Sequence, residues 1–202
     1  MSATGIAFNP AATTNAAGLF VTQAQGLVQG VFMDDPAIRY EMAGGTLDSA
    51  ETLPMWGGVA IEELIATGGF SPLGNDIKRA VAQTSLTGFS VFNQNGAAIS
   101  SPQSPVPVTL LGGQVNFFRL GSGARIVVAC DPALIDLDGG IITPQVSWDY
   151  TNQKLVAYDS VAALPVKVLS VQTSQVMTVA YNSGTGASTW TRTGNAAAIL
   201  VI

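Results

Sequence analysis

Apolar positions along this chain come in short runs, or alternate with polar ones, and small clusters of glycine, asparagine or aspartate separate them. Runs that short, bounded by turn residues, predict strands; an amphipathic helix needs apolar positions recurring every three to four residues over a longer stretch. The candidate strands are 86–92, 114–120, 125–130, 146–150, 155–158, 166–171, 176–181 and 197–202. Residues 125–130 (RIVVAC) are nearly continuous in apolar character, which suits a central strand buried on both faces. Turns are expected at Gly44-Gly45, Gly57-Gly58, Gly68-Gly69, Asn95-Gly96, Gly112-Gly113, 121–123, Asp138-Gly139 and 182–186.

Two hairpins stand out. In one, 134–137 and 141–147 flank Asp138-Gly139-Gly140, where aspartate and glycine tolerate the positive φ of a tight turn. In the other, 146–150 and 155–158 flank 151–154. Segments 59–66 and 77–83 are ambiguous, because Ile61, Leu64 and Ile65 permit a short helix while the flanking residues permit a strand. Residues 101–108 (SPQSPVPV) carry Pro102, Pro105 and Pro107, which remove backbone donors and hold the segment extended. That reads as a rigid connection between strands, with a polyproline-type ligand at 102–105 as the alternative.

Residues 1–30 have isolated large apolar side chains at Ile6, Phe8, Leu19, Phe20, Leu27 and Val28 among small polar residues, and their spacing fits neither a helix nor a strand. An extended arm with occasional anchors explains this pattern, the alternative being a poorly ordered terminus. The expected fold is therefore all-β, a β-barrel or jelly-roll-like sandwich with an extended N-terminal arm. The arm spans 1–30, the main β domain 31–160, and a C-terminal β-hairpin segment or small outer lobe 161–202.

Composition adds a second layer. Only 10% of the 202 residues are charged, against ~25% in typical soluble domains. The mean hydropathy is +0.37. Residues 1–33, 80–118 and 168–191 contain no Asp, Glu, Lys or Arg. Neutral surface is cheap to desolvate against a partner, so the composition points to assembly, with a merely low-charge β-sandwich as the equal alternative. Polar residues, glycines or prolines interrupt each charge-free stretch too soon for a transmembrane helix, and no basic residue precedes Arg39 to form the start of a secretory signal. The net charge of −5, with three lysines and five arginines scattered along the chain, argues against nucleic acid and anionic membranes as partners. The lone Cys130 cannot form a disulfide within one chain, which fits synthesis in a reducing cytosol.

Histidine is absent, so Ser-His-Asp and Cys-His nucleophiles and histidine-containing metal cages are excluded. Cys130, at the end of an apolar run, reads as a small buried hydrophobe. The carboxylate pairs Asp34/Asp35, Glu62/Glu63 and Asp136/Asp138 read as turn formers or exposed charge pairs before they read as a glycosidase dyad. Asp131, Asp136 and Asp138 lack the ligand spacing of an EF-hand calcium loop. The stretch 121–125 lacks the lysine and helix start of a phosphate loop. Trp148 and Tyr150, two apart on one strand, share a face and are expected in the core, with sugar stacking as the alternative. No Asn-x-Ser/Thr sequon occurs. No catalytic, cofactor or metal residue is expected, and no cofactor.

At 55–59 within ETLPMWGGVAI, at 86–92 (LTGFSVF), at 101–107 and at 114–132 (QVNFFRLGSGARIVVACDP), the chain resembles a family of tailed-bacteriophage capsid decoration, or head cement, proteins. The resemblance covers roughly 5–158, and 163–202 has no counterpart in it. It implies a non-enzymatic structural virion protein, made in the host bacterial cytoplasm, that binds the outside of the major capsid protein shell and stabilises the expanded head. Binding the assembled state alone stabilises it by linkage, and many copies on a lattice add through multivalency. The expected capsid and oligomer contacts are Phe8, Leu19 and Phe20 of the arm with Met55 and Trp56. Self-association is expected too, as a homotrimer in preference to a dimer. The rival reading is a carbohydrate-binding or adhesin-type β module using Trp148, Tyr150 or Trp190; a glycan-cleaving enzyme, resting only on carboxylate counts, comes third.

Overall fold

The computed structural model describes residues 13–14, 20–21, 27–33, 37–65, 74–92, 106–137, 145–192 and 194–202. Its first strands are β1 (Thr13–Thr14), β2 (Phe20–Val21), β3 (Phe32–Met33), β4 (Ala43–Leu47), β5 (Ala60–Leu64), β6 (Asn75–Arg79), β7 (Gly88–Ser90) and β8 (Gln114–Arg119). They are followed by β9 (Arg125–Cys130), β10 (Val146–Asp149), β11 (Lys154–Ala157), β12 (Lys167–Gln172), β13 (Thr178–Asn182), β14 (Ala187–Thr191) and β15 (Ala196–Val201). Helical structure among the described residues is confined to 310 turns at Ile38–Glu41, Gln83–Ser85 and Pro132–Leu137. The protein is all-β, as the pattern of short apolar runs predicts.

Strands β4, β6, β5, β7 and β8 close into a five-stranded barrel. An odd ring cannot alternate direction all the way round, and the parallel pair that this forces is β4 with β6. Alternation along each strand sends one set of side chains inward. Leu47, Met55, Val59, Ile61, Ile77, Val115 and Phe117 fill the interior, none more than 3% exposed. Where β4 passes β6 there is no room for a side chain. A Cβ on Gly45 would collide with the Asn75 carbonyl oxygen and come within 2.6 Å of Ile77 Cγ1. Gly44-Gly45, expected as a turn, therefore lies within a strand.

The second layer is a six-stranded sheet in the order β10-β11-β9-β15-β12, with β3 also on β9. The burial of its central strands explains the nearly continuous apolar run of 125–130. Ile126, Val128 and Cys130 face the barrel and join Phe89, Phe118, Ala198 and Leu200 in the largest core. Val127 points the other way, into a smaller cluster with Leu27, Val176 and Ala197. Phe89 meets Trp148 edge to face at 5.0 Å, and Phe32 meets Phe118 similarly at 5.5 Å.

The ambiguous segment 59–66 supplies strand β5, while 77–83 supplies the end of β6 and runs into the 310 turn at Gln83–Ser85. The hairpin at 146–158 forms as expected, with Val146 to Asp149 paired to Ala157 to Lys154. The expected strand at 134–137 is instead a 310 turn over Pro132–Leu137. Pro132 presets φ, the Asp131 carboxylate accepts from Ala133 N–H at 3.0 Å, and Leu134 N–H closes onto the Asp131 carbonyl. Residues 138–144, the rest of that expected hairpin, lie outside the described residues.

Segment 161–202 divides between two places. β12 and β15 belong to the main sheet, with β15 between β12 and β9. Among the described residues β13 and β14 pair with each other alone and form a separate two-stranded sheet. Of the expected arm, β1 and β2 pair antiparallel, Thr13 with Val21 and Thr14 with Phe20. No helix among the described residues is long and apolar enough to cross a membrane.

Candidate functional site

A cleft of about 570 Å³ opens where the 50–53 loop and β6 of the barrel, the β10–β11 turn and strand β13 converge. Its barrel wall is organised by Arg79. This side chain is only 8% exposed, because strand alternation turns it away from the exterior Lys78 to the same face as Ile77. Backbone hydrogen bonds from Ala50 N–H to Asp48 Oδ1 and from Glu51 N–H to the Asp48 carbonyl turn the loop back over β6. The Glu51 carboxylate then accepts from Arg79 N–H at 3.0 Å and lies 3.5 Å from the guanidinium Nη1. Arg79 Nη2 donates to the Pro54 carbonyl. Nη1 is buried without a hydrogen-bond acceptor.

Burial pulls the Arg79 guanidinium below its ordinary pKa, and the Glu51 carboxylate pushes the other way. An arginine starts so high that it remains charged. Its carbon Cζ lies 4.7 Å from the centre of the Trp56 ring, and Trp56 stacks on Tyr181 of the hairpin at 5.8 Å with 28° between the planes. Arginine, tryptophan and tyrosine thus link the barrel to β13 across one side of the cleft.

The floor is set by Gln153, which has φ of +53° and is 6% exposed. Its Oε1 accepts from Ala60 N–H at 3.0 Å and from Trp148 Nε1–H at 3.2 Å, while Nε2 donates to the Tyr150 carbonyl at 2.8 Å. One amide therefore ties barrel strand β5 to the β10–β11 hairpin. The turn above it is held by Asp149, whose Oδ1 accepts from Thr151 and Asn152 N–H and whose Oδ2 accepts from Asn152 Nδ2. Tyr150 donates to Gln83 Oε1 at 3.0 Å, and burial pushes its phenol up to about 12. Lys78 at the rim is paired with Glu62 at 3.3 Å.

The residues singled out from sequence scatter. Phe8 and Leu19 lie outside the described residues, and Phe20 is described only as part of β2. Met55 is 2% exposed inside the barrel, bridged through its backbone to Thr109, so its side chain has no surface to offer a docking partner. Trp56 is half-buried at the cleft. Trp148 is a core residue, as expected, and cannot stack on a sugar; Trp190 lies against Phe92 at 6.2 Å with Nε1 buried and without an acceptor. Of the three aromatics proposed for sugar contact, Tyr150 alone lines the cleft.

Glu62 and Glu63, expected as an exposed pair, are each half-buried and ion-paired, Glu62 with Lys78 on the adjacent β6 and Glu63 with Arg119 on β8, two strands away. The Arg119 fork holds Glu63 from two nitrogens at 2.7 and 2.8 Å and, with Asn75, keeps the carboxyl below its usual range. Asp131 is engaged by Ala133 N–H and by Lys154 Nζ at 3.2 Å; Asp138 and the Asp136 side chain lie outside the described part. Cys130 is 4% exposed, and burial pushes its thiol up to about 12, far from reactive thiolate at neutral pH.

Sequence reasoning missed Arg79, Glu51, Gln153 and Tyr181 as a group. Nothing local marks them, because they meet only through the closure of the barrel and the docking of the hairpin. Compared with known proteins, the chain matches no family model, no curated protein and no solved structure.

Proposed function

We propose that this protein is a structural docking module that binds the outer surface of a bacteriophage capsid shell and stabilises its expanded form. The observation that carries the reading is a set of exposed apolar side chains that lie, in sequence, between the expected arm and the barrel. Val31, Met33, Tyr40 and Met42 are 38%, 44%, 91% and 37% exposed, and they come from the two segments that join the arm to the barrel. A residue such as Tyr40, nearly bare in the isolated chain, gains most from a partner that buries it.

The rest of the molecule supports the same use. Two layers packed on a continuous core give a rigid platform, and a chain with 10% charged residues desolvates at low cost. The resemblance at 55–59, 86–92, 101–107 and 114–132 supplies the partner, a major capsid protein, and the place, the exterior of the virion. The expected self-association, a trimer in preference to a dimer, fits the threefold positions of an icosahedral lattice.

The test is co-sedimentation of the purified chain with expanded shells that lack it. The intact chain binds with saturable stoichiometry, and the triple variant Met33→Ser, Tyr40→Ser, Met42→Ser loses occupancy while keeping its melting temperature. Equal occupancy for the triple variant overturns the assignment of this surface, and no binding by the intact chain overturns the function. Light scattering at micromolar concentration tests self-association, against which a mass near 20.7 kDa would count.

A further inference from the structure

The cleft between the barrel and the β13–β14 hairpin is a different surface from the one assigned to shell docking, and we infer that it is a binding site for a neutral saccharide. Its volume of about 570 Å³ lies within the ~300–1,000 Å³ of small-ligand sites. It is lined by aromatic rings and by polar side chains together, the combination that sugars require, since their faces are apolar and their edges carry hydroxyls.

Charge decides against an ionic ligand. Arg79 is paired with Glu51 and Lys78 with Glu62, so the four charges at the barrel wall cancel. An anion would have to compete with two carboxylates, and a cation with two basic groups. The strand edges decide against an extended peptide. Strand β6 is paired on both sides within the barrel, and on the hairpin wall the Val179 N–H is already taken by Gln29 Oε1 at 2.9 Å.

The site is also pre-formed. Trp56, itself packed against the Arg79 guanidinium, holds Tyr181 by ring stacking, and Asp149 fixes the backbone of Thr151 and Asn152, whose side chains are exposed at the rim. A saccharide in the cleft packs a face against Tyr181, whose opposite face is stacked on Trp56, and meets Lys78 and Asn152 with its hydroxyls. Preorganisation of this kind lowers the cost of ordering the site on binding.

The experiment is a glycan array probed with the purified full-length chain, containing neutral di- to tetrasaccharides beside sialylated and sulfated ones, followed by calorimetry on the best neutral binder. Tyr181→Ala should weaken binding by about tenfold, the worth of one aromatic contact. Because that change also loosens the hairpin, the rim variant Lys78→Ala, Asn152→Ala is measured beside it. It should weaken binding several-fold with only a small drop in melting temperature, since the Asn152–Asp149 and Lys78–Glu62 contacts that it removes lie at the surface. No neutral saccharide bound at millimolar concentration, a preference for the anionic glycans, or unchanged affinity in the rim variant each overturns the inference. Shell co-sedimentation reads the docking function separately, so failure of one is distinguishable from failure of the other.

Discussion

The barrel and the β13–β14 hairpin are two β structures held by different forces. In the barrel every strand is paired on both sides, and the seven interior side chains are at most 3% exposed. Among the described residues the hairpin has no ladder to either sheet. It is tied by a single bridge between Val28 and Met177, by hydrogen bonds through Gln29 and Met177, and by the ring contacts Trp56–Tyr181 and Phe92–Trp190. One region is stabilised by shared apolar burial and opens only with the whole fold. The other is seated by a few separable contacts, so it can open alone at lower cost. The cleft lies between the two, with one wall from each.

The comparison is broken most completely from the barrel side. Phe117 is fully buried among Ile61, Ile77 and Val115, and Phe117→Ala should cost about 3–5 kcal/mol, a large part of a typical domain's stability. Urea denaturation should show a much lower midpoint for every probe at once, hairpin signals included. Next in size is Gln153→Ala, which strands Ala60 N–H and Trp148 Nε1–H in the interior at a cost of about 2–4 kcal/mol. A loss under 1 kcal/mol would mean that the amide is replaced by water and that the two layers do not depend on it.

A smaller and more local effect is expected at Gln29. Its side chain accepts from Val179 N–H, and its own N–H donates to the Met177 carbonyl at 2.9 Å. Gln29→Ala should lower global stability by only about 1 kcal/mol. Hydrogen exchange should accelerate across β13 and β14 and remain unchanged in β5 to β8. Uniform acceleration across both regions would show that hairpin and barrel open as one unit.

Legibility in the sequence follows the same division. Strand β9 was readable because both its faces are buried, which makes 126–130 a continuous apolar run after Arg125. Strands β5 and β6 were ambiguous because a barrel wall hides one face and exposes charges such as Glu62 and Lys78 on the other. Strand β14 (ASTWT) carries little apolar pattern and owes its place to pairing with β13, and β4 was obscured by the glycines that let β6 approach. The cleft was not readable at all. Its residues at 51, 56, 79, 153 and 181 converge only in three dimensions, and Arg79 looks from sequence like an ordinary surface charge. The apolar residues chosen as contacts illustrate the converse: Met55 looks like an anchor and is buried core.

The finest distinction between the regions is electrostatic. The barrel carries an ion pair, Glu63 with Arg119, for which β13 and β14 have no equivalent, since residues 168–191 hold no charged side chain. The guanidinium fork holds the Glu63 carboxyl below its usual range, so the folded protein binds that proton less readily than the unfolded chain does. The stability this contributes is fully present above the unfolded glutamate pKa of ~4.3, and it is lost as pH falls through the lower, folded value. Arg119 is 56% exposed, so water and salt screen the pair and the effect is small. In Glu63→Gln, stability measured by urea titration should decline less steeply with pH below ~4.3 than in the unaltered protein, and added salt should shrink the difference. Parallel acid limbs for the two proteins would show that Glu63 titrates alike in both states and that the ion pair contributes nothing to the barrel.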